Sequence, residues 1–118
     1  MEIVIVRVYD DPGRQSGEYR VLVDRLWPRG MRAGSVDFDE WAKDLAPSGE
    51  LRRWFGHDPG RFGQFASRYR AELDRPDATG MLARLAGTAG GGRLVLLTAT
   101  RDVPHSGAAV LRDVLSQI

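Results

Sequence analysis

The chain opens on Ile3-Val4-Ile5-Val6, four β-branched residues in a row. An unbroken apolar run of this length is the pattern of a strand covered on both faces. It ends in a turn cluster, Tyr9-Asp10-Asp11-Pro12-Gly13. Tyr19 to Leu26 predicts a second strand with Val21-Leu22-Val23 as its buried middle, and Leu94-Val95-Leu96-Leu97 a third. Between these last two the spacing becomes helical. Asp37 and Glu40 stand as in a capping box, and Phe38, Trp41, Ala42 and Leu45 follow at i, i+3, i+4 and i+7 before Pro47 stops the segment. Ser48 then caps a short helix with Leu51, Trp54 and Phe55 on its apolar face. Asp58-Pro59 opens the next helix, whose stripe is Phe62, Phe65, Ala66, Tyr69 and Leu73. Pro76 and Asp77 precede a helix carrying Met81, Leu82 and Leu85, and a last helix from about Ser106 turns Val110, Leu111, Val114, Leu115 and Ile118 inward.

Few strands separated by long helical stretches favour parallel pairing through crossover helices. The expectation is an α/β fold: a small, open, mainly parallel sheet flanked by helices in three layers, Rossmann-like, as a single domain over residues 1–118. Gly90-Gly91-Gly92 resembles a phosphate loop but sits in the wrong place, leaving a helix and entering a strand. Phosphate-cradling glycines do the reverse, so a helix stop and a connection is the reading that fits.

Ligands of open parallel sheets sit beyond the carboxyl ends of the strands. Two strand ends here carry an Asp–Arg pair in opposite order: Asp24-Arg25-Leu26-Trp27-Pro28-Arg29-Gly30, and Thr98-Ala99-Thr100-Arg101-Asp102 followed by His105. If those strands are neighbours, carboxylates, guanidinium groups and an imidazole converge on one rim. Such charge needs a ligand or internal pairing to be tolerated. Internal pairing would put Asp24 against Arg101 or Arg25 against Asp102, fixing the fold and nothing else.

Composition narrows the chemistry. The 118 residues include no cysteine, which excludes disulfides, a thiolate nucleophile and Cys-ligated metal. Seventeen basic against sixteen acidic side chains argue against a broad nucleic-acid clamp. Lys43 is the only lysine, so nearly all the positive charge is arginine, the residue suited to two-point recognition of carboxylate or phosphate. There is no apolar run long enough to span a membrane, and Met1-Glu2 leads into a strand rather than a basic signal region. A cytoplasmic location is the expectation.

Three strings are long and rare in composition: the Asp24–Gly30 motif, Trp41-Ala42-Lys43-Asp44-Leu45-Ala46-Pro47-Ser48, and Leu51-Arg52-Arg53-Trp54-Phe55-Gly56-His57-Asp58. With Tyr69-Arg70-Ala71-Glu72-Leu73 they resemble, in order, the DUF488 (YeaO-like) family, from Ile5 to Leu115. The resemblance implies a small, single-domain, cytoplasmic protein and brings no assigned reaction. It marks Asp24, Arg25, Trp27, Arg29, Trp41, Asp44, Ser48, Arg52, Trp54, His57, Asp58, Arg101, Asp102 and His105 as motif positions. The chain departs from the family pattern at Thr98, where a tyrosine is usual, and at Ser106-Gly107, where Asn-His is usual. An acid–base or metal scheme built on the full pattern therefore loses two of its groups.

Asp24, His57, Asp102 and His105 are the candidate catalytic groups, and Arg25, Trp27, Arg29, Ser48, Arg52 and Arg101 the candidate ligand-binding ones. His57 and His105 bring imidazoles that titrate near neutrality. Arg25, Arg29 and Arg52 would clamp an anion, and Trp27 would wall the pocket. Ser48 is an N-cap unless a histidine folds back on it. The expected partner is a small anionic compound, a nucleotide or other phosphorylated molecule. A nucleic-acid module, a metal-dependent hydrolase using His57, His105 and carboxylates, and a structural domain without catalysis are the alternatives. Neither a cofactor nor the oligomeric state is readable from the sequence.

Overall fold

The computed structural model describes residues 2–88 and 90–118. Its sheet has four parallel strands in the order β1-β4-β2-β3: β1 Glu2–Arg7, β2 Glu18–Leu22, β3 Glu40–Trp41 and β4 Arg93–Thr98. Four helices accompany it: α1 Gly49–Phe55, α2 Phe62–Leu73, α3 Pro76–Thr88 and α4 Gly107–Ser116. The α/β class and the parallel sheet are as the hydrophobic pattern predicts. Among the described residues, no helix is long and apolar enough to cross a membrane.

Period-2 alternation sorts β4 between two cores. Leu94 and Leu96 join Val21, Val23, Ile3 and Ile5 against the helices, with Phe55, Phe65, Tyr69, Leu85 and Leu111. Val95 and Leu97 face the other way with Leu22, Val4 and Val6, against Val36, Trp27, Met31, Phe38 and Trp41. The layer on that second face is the connection from β2 to β3, residues 23–39, where the sequence suggests helices on both sides. The crossover from β3 to β4 supplies α1, α2 and α3, and α4 follows β4. Both faces of β1 are packed, as expected, but its edge position leaves most of its residues half-buried.

The helix expected across Asp37–Leu45 does not form. Glu40–Trp41 joins the sheet as β3, and only Lys43–Leu45 coils, as one 3-10 turn. The reason lies in where the capping groups go. Asp37 and Asp39 both accept from the Arg14 guanidinium, and Asp39 also takes the Arg20 backbone N–H at 2.8 Å. Glu40 is held by both terminal nitrogens of Arg84 at 2.8 Å and by the Tyr19 hydroxyl. The helix-like apolar spacing divides instead between the two faces: Phe38 and Trp41 pack on one, Ala42 and Leu45 on the other. The second strand is also shorter than its apolar run, because the chain turns out of the sheet at Asp24.

The remaining signals are realised. Ser48 caps α1 by accepting from the Leu51 N–H, and Asp58 accepts from the Gly60 N–H in a 3-10 turn over Pro59–Arg61 that runs into α2. Pro76 starts α3, and Ser106 caps α4 by accepting from the Ala109 N–H. Gly90, at φ 56°, begins the short link into β4, away from the carboxyl ends of the strands.

A buried ion pair sits inside the fold. Arg20, in the middle of β2, is 1% exposed. Its guanidinium donates to Glu18 at 2.9 Å, to the Asp37 carbonyl at 2.7 Å and to Asp11. Burial pushes the Glu18 carboxyl up, but the Gln15 N–H and Arg20 outweigh this and hold it below the ordinary value. Arg20 thereby ties the loop after β1 and the approach to β3 onto the central sheet. Removing one member of a buried ion pair leaves the others uncompensated, which costs about 3–5 kcal/mol. Arg20→Ala should lose stability on that scale in urea unfolding, while Arg112→Ala on α4 changes it by less than about 0.5 kcal/mol; equal effects would contradict the assignment.

Candidate functional site

Because β2 pairs with β4, the two Asp–Arg strand ends do meet. They meet differently from either ion pair that the sequence suggests. One Asp24 carboxylate oxygen accepts from the Thr98 hydroxyl and the other from the Ala99 N–H, both at 2.7 Å. The Asp24 carbonyl accepts from the Trp41 indole N–H at 2.6 Å. A single residue thus joins the exits of β2, β3 and β4. Arg25 turns to the other side, donating to the carbonyls of Pro47 at 2.8 Å and Ala46 at 3.4 Å. Asp102 pairs with His105 Nδ1 at 2.9 Å.

Around this junction opens a cleft of about 620 Å³. Its deep walls are the buried Val23, Phe55, Phe65 and Ala108, with Phe55 and Phe65 stacked at 4.2 Å between centroids. Its mouth carries Arg29, Arg52, His57, Arg101 and Asp102, all exposed. Two of the three exposed large hydrophobic residues among those described, Tyr9 and Leu26, also lie there. Trp27 forms a wall as expected, fixed by its N–H bond to the Met31 carbonyl and by edge contacts with Phe38 and Trp41.

The cleft therefore gathers Asp24, Arg25, Trp27, Arg29, Arg52, His57, Arg101 and Asp102. Two candidates fall outside its lining. His105 sits behind Asp102 with its ring edge-on to Phe62 at 5.2 Å. The Ser48 hydroxyl caps α1 and donates to Glu72 at 2.7 Å. Among the described residues no three His, Asp or Glu side chains gather as a metal site.

The electrostatics differ from those of the other ion clusters. Arg29, Arg52 and Arg101 form no ion pair and no side-chain hydrogen bond among the described residues. Burial raises the Asp24 carboxyl above its ordinary value, against the opposing effects of the Ala99 N–H, the Thr98 hydroxyl and the His57 charge. His57 itself stands at φ 57°, the described non-glycine residue in the left-handed region, directly after Gly56 at φ 54°. That backbone costs a residue with a Cβ about 1 kcal/mol or more.

Sequence reasoning passed over Tyr9, Leu26, Phe55 and Phe65 as cleft residues because apolar positions read as core or as incidental surface. The role of Thr98 also went unread. The one available signal was its departure from the family pattern next to a predicted strand end, and the fully buried side chain turns out to be Asp24's partner. Gly107 has a steric reading: a Cβ there would come within 3.3 Å of the Pro47 ring.

The whole described chain, residues 2–118, matches the family model described as "Inactive DUF488-N3 subclade". The protein belongs to the DUF488 family. It is 46% identical over 112 residues to an uncharacterized protein of Mycobacterium tuberculosis, covering 95% of this chain and 92% of that one. To the uncharacterized YeaO protein of Escherichia coli K12 it is 41% identical over 118 residues, the full length of both. No solved structure matches it. For this DUF488 chain the Asp24–Gly30, Trp41–Ser48 and Leu51–Asp58 strings acquire a spatial meaning. The first supplies the junction and one cleft wall, the second its β3 buttress and the Arg25 acceptors, and the third the opposite wall.

Two outcomes follow from these local energetics. The folded state holds the Asp24 proton more tightly than the unfolded chain, so this residue's contribution to stability is greatest in acid and declines as pH rises through the raised value. Asp24→Asn removes that titration. Its stability relative to the parent should climb from pH 3.8, the ordinary carboxyl value, toward neutrality, and a constant difference would contradict the burial argument. His57→Gly should raise the unfolding free energy by about 1 kcal/mol by relieving the left-handed backbone; a loss instead would mean that the imidazole itself holds the loop.

Proposed function

We propose that the cleft at the carboxyl ends of β2 and β4 binds a small anionic compound, a nucleotide or another phosphorylated molecule, and that binding rather than turnover is this chain's task. The observation that carries the reading is the set of unpaired cations, Arg29, Arg52 and Arg101, around a largely apolar cavity. Arg14, Arg20, Arg84 and Arg93 are matched to carboxylates, whereas Arg29, Arg52 and Arg101, like the exposed Arg32, Arg53 and Arg112, have no ion pair among the described residues; what sets the first three apart is that they ring a concave, largely apolar surface. Guanidinium forks left free around a concave apolar surface suit phosphate or carboxylate groups on a ligand whose body fills the cavity. The volume suits a nucleotide-sized molecule.

Binding without turnover is supported by the family description of an inactive subclade and by the chemistry at the two departures. At position 98 a hydroxyl is spent on Asp24, and at position 107 a glycine offers no side chain. Asp102 and His105 remain as an acid–base pair, with the imidazole outside the cleft lining.

Thermal-shift titration with inorganic pyrophosphate and a panel of nucleoside monophosphates provides the test. At least one should stabilise the protein, and Arg52→Ala/Arg101→Ala should weaken that ligand by at least roughly tenfold, the effect of losing one or more charge-assisted hydrogen bonds. Arg112→Ala should bind as the parent does. Equal protection of the double variant, or none for the parent, overturns the proposal.

A further inference from the structure

Asp24 is the one acidic group in the deep part of the cleft, and its hydrogen bonding is half complete. Each carboxylate oxygen can accept two hydrogen bonds, and each holds one protein donor: the Thr98 hydroxyl on Oδ1 and the Ala99 N–H on Oδ2. Thr98 is fully buried, Asp24 is half-buried, and Asp24 lines a cavity whose other deep walls are Val23, Phe55, Phe65 and Ala108. A charge in such surroundings gains from every further donor, because two bonds do not replace the water it has lost. The cations that would neutralise it stand elsewhere. Arg25 is turned onto two carbonyls, and Arg29, Arg52 and Arg101 lie at the exposed mouth.

The cleft is thus polarised along its depth: cations at the mouth, flat apolar walls within, and a two-oxygen acceptor at the strand junction. A simple polyanion matches only the mouth. A flat heterocycle that carries a phosphate at one end and a pair of adjacent N–H groups at the other matches all three. Two parallel N–H donors against one carboxylate is the fork-on-fork arrangement of bidentate recognition.

Resting on the anion-binding reading above, we infer that the ligand is a purine nucleotide of the guanine type, its ring N–H and exocyclic amine donating to Asp24 and its phosphate held by Arg52 and Arg101. The two remaining acceptor sites on Asp24 then receive the donor pair, and Phe55 and Phe65 line the space for the ring. Burial, which lifts the Asp24 carboxyl above its ordinary value, is offset by those donors, so the ionised form is the one that binds.

Guanosine monophosphate and inosine monophosphate differ in the exocyclic amine alone, so the comparison needs no variant. Isothermal titration of the parent protein should give guanosine monophosphate roughly tenfold tighter binding than inosine monophosphate, the effect of one hydrogen bond to a charged group. Asp24→Asn should reduce that ratio to near one, while Arg112→Ala, outside the cleft, should keep it. Equal affinity for the two nucleotides in the parent overturns the inference, and so does a ratio that survives in Asp24→Asn. Pyrophosphate binding without nucleotide discrimination leaves the anion site standing and removes the base-recognition claim. Loss of all binding in the parent removes both.

Discussion

The architecture turns on a carboxylate that bridges two strand exits. In a parallel sheet, adjacent strands deliver their chains to the same edge, and a crevice forms where those chains part. Here β2 leaves the sheet after Leu22 while β4 continues to Thr98, and Asp24 spans the step by taking donors from Thr98 and Ala99. Its carbonyl takes the Trp41 indole N–H, so the two-residue β3 is secured at the same point. From there Arg25 reaches the carbonyls of Ala46 and Pro47 and fixes the entry into α1. The cost is the desolvation of a carboxylate, which two good hydrogen bonds only partly offset. The result is a fixed opening with a polar floor.

Two groups among the arginines differ in their physics. Arg20 is buried and fully engaged, and Arg14 and Arg84 lock the approach to β3 through bidentate or doubled contacts with Asp37, Asp39 and Glu40. These guanidinium groups replace the helix that the local sequence favours with an extended connection. Arg29, Arg52 and Arg101 have no carboxylate of their own and stand around the cleft. A near-zero net charge conceals this local cationic rim, because charges are balanced over the chain and not place by place.

The parts of the fold written in local chemistry were legible in the sequence. Ser48, Asp58-Pro59, Pro76 and Ser106 act within one helical turn of their own position, and each starts its helix where expected. The strand-end rule likewise brought Asp24 and the Arg101-Asp102 segment together, because adjacent apolar runs in a parallel sheet must end on one side. What failed depended on distant partners. Asp37 and Glu40 look like a capping box until Arg14, Arg20, Tyr19 and Arg84 are in place, and those lie between 17 and 44 residues away. The partner of Asp24 was unreadable for the same reason, being Thr98 and a backbone N–H at a separation of 74 and 75 residues rather than the nearby arginine. An arginine inside the apolar run of β2 was the overlooked clue that a buried carboxylate had to exist.

If the Asp24 junction creates a ligand site, occupancy should be visible at that place and nowhere else. Amide chemical-shift mapping of the isotope-labelled protein during titration with guanosine monophosphate addresses this directly. The account predicts saturable shifts concentrated at Asp24–Trp27, Arg52–His57 and Ala99–Asp102, with Gly107 and Ala108, and little change at the opposite end of the sheet around Gly17 and Gly91-Gly92. Shifts centred on that opposite end, or small unsaturable changes spread over the surface arginines, would contradict it.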